Sequence, residues 1–554
     1  MAVTLMNARL VPLCVFALII FGRLLAVYDG RDPGYDQAML MANFPLPSIA
    51  AYFEPLPYFE QATALGSIIE LDIATRIFGN EGLARFTAIR AVAAALAIWG
   101  YFILWRIMRR RLDVPDALLA LALMASTNEV LLFTTNPKNY VNEFFFVCAL
   151  LWAGIAYLDD PRAKRAAVFI GIAFLTCVFS FVAPLIFVAV GGGMLAETVS
   201  RNRGAGTSLA DMRDQVVKLI GLGVVGMAIS LIFHIWYTIP MTELDQAAYA
   251  GRYAHSFIDI NPFFSDHNAV AFGGILNVFY LMIEPAYFPQ VLYVAGIISL
   301  LPEIRFICLL IALVGLPSYW RRAPILAGGF MVGSLAFLAL NGLHVLPIMS
   351  VRHFLFFTPF AVPSFAIGLI VVLRTVLTAV RLRALTPAIG YLLSLVLVGV
   401  AAVRSTDLEN AEVSAHLKLV DQYQAKLWVY YGAQPSLRAL RTDIMSRGDI
   451  EVIGLLDHRS TTRSWQLQAR DEDNLTTSDD YVRRSAKWLS GNDPVWMLFA
   501  HFWPEETVPG KLTRFVDLAE ADGRTCKRSD DKGGVLIFCA LPSEFPEGLH
   551  TSLD

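Results

Sequence analysis

YDGRDPGYDQAMLMANFPLPSIAAYFEPLPYFEQATALGSIIELDIATRIFGNEGLARF, residues 28–86, separates the first two long apolar runs of a 554-residue chain. A connection of this length is normally either functional or disordered. Apolar residues at helical spacing over 62–78 argue against disorder and predict an amphipathic helix lying on a membrane surface. Asp32, Asp36, Glu54 and Glu60 are then held near one end of a helical bundle. A carboxylate partly withdrawn from water can serve as a general base, and two can share a divalent cation. Any one such acid, taken alone, is more often simply a solvated loop residue.

Outward from this loop the chain is strongly apolar. Hydrophobic residues make up 56% and charged residues only 16%, with a mean hydropathy of +0.55, beyond what a soluble domain of average composition carries. Runs long enough to cross a hydrocarbon core of about 30 Å recur over residues 10–403. Residues 10–20 follow Arg9 without a small-x-small cleavage signal before Arg23, and read as an uncleaved first membrane helix. After Arg404 the hydropathy falls, which divides the chain into a membrane module, 1–403, and a water-exposed domain, 404–554. A net charge of -3 with no basic stripe excludes nucleic acid as a partner.

Basic clusters at 106–111, 162–165, 201–218, 321–322 and 374–383 adjoin the ends of apolar runs and mark the cytoplasmic connections. The segments 28–87, 134–140, 238–289 and 341–353 are poor in Lys and Arg and belong outside. Counting crossings between them gives about 11 helices, or up to about 13, with the N-terminus inside and the C-terminal domain outside. Residues 173–193 allow a broken hairpin around Ser180 and Pro184, and 272–301 allow an interfacial piece. Absence of an internal repeat weakens a transporter built from inverted repeats.

GYDQAM directly after the first membrane helix, YFEPLPYFEQATALG, and RIFGNEGLARFTAIRAV leading into the second together resemble the first loop of the GT-C superfamily of integral membrane glycosyltransferases. The nearest likenesses are the dolichyl-phosphate-mannose protein mannosyltransferases and the lipid A aminoarabinose transferases. The resemblance implies a mainly α, polytopic bundle and places Asp36 at the position of the catalytic aspartate. The family's partner acid is Gln37 here, and the Lys that follows YFE in the aminoarabinose transferases is Pro55. TTNPKNYVNEFF resembles the segment that opens the fourth membrane helix, putting Lys138 and Tyr140 at the mouth of the cavity. PIMSVRHFLFFTPFAVP resembles the head of a late helix and brings Arg352 and His353 to the same mouth. Cations at helix ends also snorkel to the interface without further purpose. With an anionic lipid donor they become natural partners of a phosphate leaving group.

The implied reaction takes a sugar from a polyprenyl-phosphate carrier and gives it to an extracytoplasmic acceptor, whether lipid, glycan or protein. Asp36 is the expected base, Asp32 and Glu54 its alternates, and Lys138, Arg352, Tyr140 and His353 the donor-phosphate set. Glu54 and Glu60 are candidates for a divalent metal or the acceptor. Such a protein belongs in a bacterial inner membrane, with its C-terminal domain periplasmic. No nucleotide-binding glycine fingerprint accompanies the short inside connections. A transporter or flippase of a lipid-linked saccharide is the alternative, and it calls for ionisable residues at mid-membrane depth. KLWVYYGAQPSLRAL, DPVWMLFAHFWPEE and GGVLIFCALP alternate strand-like and helical stretches, which predicts a small α/β domain. His501 closes one of the strand-like runs, where it could face the site or serve structure alone. Cys526 and Cys539 flank a KRSDDKGG turn at hairpin spacing and are candidates for a disulfide in an oxidising compartment, with two separate thiols as the alternative.

Overall fold

The computed structural model describes residues 2–28, 32–59, 63–133, 138–205, 208–241, 257–259, 266–284, 298–347, 351–405, 413–423, 425–445, 448–455, 479–501, 509–531 and 534–546. Among these, nine helices have the length and apolarity to cross a membrane: Leu10–Tyr28, Ala84–Arg109, Tyr140–Asp159, Ala183–Gly204, Ala210–Met241, Leu301–Arg322, Pro324–Gly342, His353–Ala379 and Arg383–Arg404. Their outward faces carry large apolar side chains such as Leu13, Trp99, Ile232, Leu335 and Val403, as a helix against lipid requires. This is an integral membrane protein.

Among the described residues, two more segments add to the bundle. Ala163–Phe179 pairs with Ala183–Ala205 across a break at Ser180, so the expected broken hairpin is two full helices. Val114–Ser126 is buried along its entire length from Asp116, and after an extended Thr127 a second short helix, Asn128–Phe133, carries the chain on. Neither piece spans about 30 Å alone, but end to end they do. Counted with the nine, these make the roughly 11 crossings expected from hydropathy.

The first loop folds against the bundle instead of trailing from it. Its amphipathic helix is observed as Leu65–Phe78 and buries Leu65, Ile68, Leu71 and Asp72 while exposing Ile73, Ile77 and Phe78. An apolar exposed face suits a helix resting in the membrane interface. Asp72 fixes the proline-containing stretch above it, accepting hydrogen bonds from the Leu46 N–H (2.7 Å), the Tyr52 hydroxyl (2.6 Å) and Arg76 (2.7 Å). Burial acts to raise the Asp72 pKa, but these bonds outweigh it and hold the carboxyl below its ordinary value.

The C-terminal region is the expected α/β unit. Strands β1 (Lys426–Val429), β2 (Val452–Ile453), β3 (Val495–Phe499), β4 (Thr525–Asp531) and β5 (Gly534–Ala540) form one sheet in the order β2-β1-β3-β5-β4. β1 pairs parallel with β2 and β3, whereas β5 runs antiparallel to β3 and β4. β3 and β5 are buried at every position, because both faces of the sheet are covered. Trp428, Met497, Phe499 and Ile537 pack on Leu489, Phe515 and Ala519 of two helices. Cys526 and Cys539 sit opposite one another across β4 and β5 and are joined as a disulfide.

Candidate active site

The chain after the first membrane helix turns at Pro33–Gly34 into a short helix, Tyr35–Met41, whose start is capped by Gln37: its side-chain oxygen accepts the Gly34 N–H at 3.3 Å. Gln37 thus stabilises the helix that carries Asp36. Asp36, with about a third of its side chain exposed, points its Oδ2 to within 3.3 Å of the Lys138 Nζ, which is only 14% exposed. Lys138 lies just before the Tyr140–Asp159 helix. Two residues separated by a hundred positions therefore form one charge pair, and a partly enclosed pair interacts more strongly than a surface one.

Behind Lys138 the bundle is polar. Asn139 donates to the Glu143 carboxylate (2.8 Å) and the Ser180 hydroxyl donates to the same oxygen (3.1 Å), with Glu143 itself buried. Asn142 donates to Glu70 at 3.2 Å and to the Ser67 hydroxyl at 3.3 Å, bridging to the interfacial helix. Burial holds the Glu70 carboxyl above its ordinary value, with the Asn142 bond acting against it. Tyr140 packs edge-on against His353, ring centres 5.7 Å apart, and against Phe133 at 5.4 Å. Tyr140 and His353 are thus in contact, across two different helical elements. Arg352 is the second residue of the same short helical element, Val351–Phe357, and its side chain lies outside the described residues.

The C-terminal domain closes over this arrangement. Met39 and Phe59 of the first loop share a hydrophobic cluster with Trp428, Tyr430 and Phe499 of the sheet. Arg438 stacks over Tyr58 at 4.6 Å. Arg85 is buried and bridges the regions, donating to the carbonyls of Phe44 (3.2 Å) and Ala439, while the Gly82 N–H donates to the Leu440 carbonyl (2.8 Å). At the end of β3, His501 adopts φ 54°, a left-handed conformation uncommon outside glycine, and so turns its ring toward the first loop. The ring lies 5.5 Å from that of Tyr35 and its Nε2 is 2.9 Å from the Ser436 hydroxyl. Burial pushes the His501 pKa down to about 4, and the Asp36 charge pulls it the opposite way.

Asp32 has a different place from that expected. It is buried, and its Oδ2 accepts the backbone N–H groups of Val413 and Ser414 (2.6 Å to the latter) at the start of the Ser414–Gln422 helix. Arg90 donates to its carbonyl at 3.1 Å. A carboxylate committed to two orphan donors of a helix start is a structural cap, not a proton acceptor for substrate. Glu54 terminates the single turn Ala50–Phe53 and is exposed, away from any cluster of ligands. Glu60 lies outside the described residues.

Among the described residues no group of three His, Cys, Asp or Glu side chains could hold a metal ion. With Asp32 bonded to backbone and Glu54 in solvent, the acids described here do not fit a divalent cation. Lys138 already supplies a positive charge beside Asp36.

No family model and no curated protein matches the sequence. Solved structures do. ArnT from Cupriavidus metallidurans bound to undecaprenyl phosphate superposes with a TM-score of 0.50 at 10% identity, over 97% of this chain and 99% of that one. The apo form of the same protein gives 0.45 at 11% identity, over 94% and 97%. The Archaeoglobus fulgidus oligosaccharyltransferase tethered to an acceptor peptide gives 0.42 at 12% identity, over 96% of this chain and 74% of that one. The chain therefore has the GT-C fold of ArnT over nearly its full length, the architecture implied by the first loop.

Proposed function

We propose that the protein is a membrane glycosyltransferase that moves a sugar from a polyprenyl-phosphate donor to an extracytoplasmic acceptor. The observation that carries this is the Asp36–Lys138 pair, 3.3 Å apart at the loop end of the bundle, with His501 close enough to feel the Asp36 charge. A base and a cation side by side are what displacement at an anomeric carbon needs. The donor phosphate draws the Lys138 ammonium to itself and frees the Asp36 carboxylate. An acceptor hydroxyl gives its proton to Asp36 as its oxygen bonds to the anomeric carbon. The bond from that carbon to the phosphate oxygen breaks, its electron pair leaving on the phosphate beside Lys138 and Arg352. In-line displacement inverts the anomeric centre. Tyr140 and His353 line the donor side, and Glu143 with Asn139 sets the position of the segment bearing Lys138. The same reading places the first loop and the disulfide-bearing domain on the periplasmic face of a bacterial inner membrane, where Cys526 and Cys539 stay oxidised.

The test is transfer itself. Purified protein is incubated with radiolabelled polyprenyl-phosphate sugars and a membrane extract, and both the released lipid phosphate and the labelled product are followed. Wild type yields both, and Asp36→Asn yields both at least about a hundredfold more slowly. A wild-type protein that moves intact donor across a vesicle bilayer without cleaving it establishes the flippase alternative.

A further inference from the structure

The first membrane helix carries a charge that the transfer chemistry does not use. Arg23 lies in the Leu10–Tyr28 span and is only 1% exposed. A guanidinium stays charged in a protein, and burying one ordinarily takes a carboxylate partner. Arg23 has no such partner among the described residues. Its Nη2 donates to the Tyr101 hydroxyl at 2.8 Å and lies 3.4 Å from the Ala125 carbonyl oxygen. The guanidinium carbon sits 5.6 Å from the centre of the Tyr101 ring, and Nε has no hydrogen-bond partner among the described residues.

The place of Ala125 accounts for the charge. The Val114–Ser126 helix ends one residue further on, at the extended Thr127, and Asn128–Phe133 starts a new helix. A helix end inside a bundle leaves carbonyls without N–H partners and the negative end of a dipole without water around it. The Ser126 hydroxyl donates to one of these carbonyls, that of Leu123, at 3.0 Å, and Arg23 stands against another. At 3.4 Å the hydrogen bond to Ala125 is long, so charge against dipole supplies most of the attraction. Across the break the Thr127 hydroxyl accepts the Val130 N–H at 3.3 Å and caps the second piece.

The second piece leads to the site. Asn128–Phe133 packs against Val351–Phe357, the element that bears Arg352 and His353. Phe133 meets the Tyr140 ring at 5.4 Å, and Tyr140 meets His353 at 5.7 Å. Leu131 packs on Ala401 of the last membrane helix. An extended residue redirects the chain, so the angle between the two pieces decides where Phe133 and Leu131 arrive. We propose that Arg23 is a positioning residue for the donor-phosphate side of the site. By holding the end of Val114–Ser126 it fixes the angle of Asn128–Phe133, and through Phe133 the placement of Tyr140 and His353. It touches no reacting atom. Its purpose rests on the transferase reading, in which that side receives the lipid phosphate.

The test is equilibrium binding of polyprenyl phosphate to the purified full chain, with thermal unfolding of the same samples, for wild type, Arg23→Gln, Arg23→Lys and Tyr101→Phe. Arg23→Gln removes the charge and should raise the Kd about tenfold, and Arg23→Lys, which keeps it, should recover most of the loss. Tyr101→Phe removes the hydroxyl that aims the guanidinium and should raise the Kd about threefold, which keeps the test decisive if Arg23→Gln does not fold. A merely structural arginine would lower the unfolding temperature and leave the Kd of the folded protein unchanged, and that result overturns the proposal. Arg23→Lys binding as weakly as Arg23→Gln overturns it too, because charge would then not matter. A donor-free readout separates this inference from the transferase reading. Oxidative cross-linking of a Leu131→Cys, Ala401→Cys pair, mapped by mass spectrometry, should slow severalfold on adding Arg23→Gln or, to a lesser degree, Tyr101→Phe. Equal rates refute the positioning role whatever the donor, whereas slowed cross-linking in a protein whose wild type binds no polyprenyl phosphate refutes only the transferase reading.

Discussion

Acidification should loosen the closure of the C-terminal domain over the first loop, through His501. Its pKa is depressed from an ordinary 6.5 to about 4, because the ring is enclosed between Tyr35, Ser436 and the end of β3. The fold therefore favours the neutral imidazole. The stability this represents is present in full above pH 6.5, is lost as pH falls from 6.5 toward 4, and is gone below both values. At about 1.4 kcal/mol per pH unit the full effect approaches roughly 3 kcal/mol, and at pH 5 about 2 kcal/mol has been lost. Partial exposure of the ring makes these upper values. For a cooperative unit of about 150–250 residues, 2 kcal/mol corresponds to about 4–8 °C in unfolding temperature. The measurement is thermal unfolding of purified wild type and His501→Gln, followed by tryptophan fluorescence at intervals from pH 7.5 to pH 4.5. Wild type should lose several degrees relative to the variant across this range, because glutamine does not titrate. A difference between the two proteins that stays constant with pH would refute the enclosure of a neutral His501. Asp36→Asn should steepen the wild-type profile slightly, since it removes the one charge that opposes the depression.

Four further outcomes follow from named contacts. Asp36→Asn should insert and fold but transfer sugar at least about a hundredfold more slowly, measured by release of lipid phosphate, and wild-type turnover would move the base elsewhere in the loop. Lys138→Ala should show its main loss in donor binding, read as a raised KM or a weakened equilibrium Kd for polyprenyl phosphate. Asp32→Ala should lower stability by about 1–2 kcal/mol in thermal or denaturant unfolding, having removed the acceptor of two backbone N–H groups, whereas an unchanged midpoint would mean the helix start finds water at no cost. With Cys14 replaced by Ala, Ser48→Cys should react with a membrane-impermeant maleimide in intact spheroplasts and Arg162→Cys should not, both positions being exposed; the reverse pattern would put the first loop in the cytoplasm.

How far the sequence could be read depends on the range of the interaction concerned. Membrane spans are local, since the hydropathy of 20 consecutive residues decides them, and the bundle was legible for that reason. The break at Thr127 is invisible to hydropathy but leaves a local signal, the polar run Ser126-Thr127-Asn128-Glu129, in which the Thr127 hydroxyl accepts the Val130 N–H at 3.3 Å as a helix cap. Asp36 and Lys138 were reachable through short phrases that resemble the GT-C loops, but their contact was not, being a matter of how the first loop lies against the start of the Tyr140–Asp159 helix. Asp32 read as the alternate to Asp36 because both are acids of the same loop. The difference lies 381 positions away, in the N–H group of Val413. Glu143 left a faint signal, an acid one turn inside an apolar helix beside Asn139 and Asn142, where only an internally bonded carboxylate is tolerable. Arg110, Arg111 and Arg201 were legible as topology signals. Glu197, four residues before Arg201 on one helix, is a pairing the sequence carries locally, whereas Asp159 meets Arg110 and Arg201 from a different helix and could be placed only by the fold.

The same reasoning explains why the C-terminal domain belongs to the site and is not an appendage. An open first loop would leave Asp36 and Lys138 in bulk water, where a pair 3.3 Å apart interacts weakly. What lowers the local polarity is the sheet: β3 ends at Phe499, the chain turns through the strained His501, and Met39 and Phe59 are drawn into the cluster around Trp428. Asp32, Gly82 and Arg85 anchor the loop to the domain on either side of the short helix that carries Asp36. The Gly82 anchor is backbone to backbone, while Asp32 and Arg85 each set one side chain against backbone groups, so the docking is spread over three separate points. The charges that would meet a phosphate are thus aligned before a substrate arrives, and the reorganisation water would otherwise require is already spent in folding.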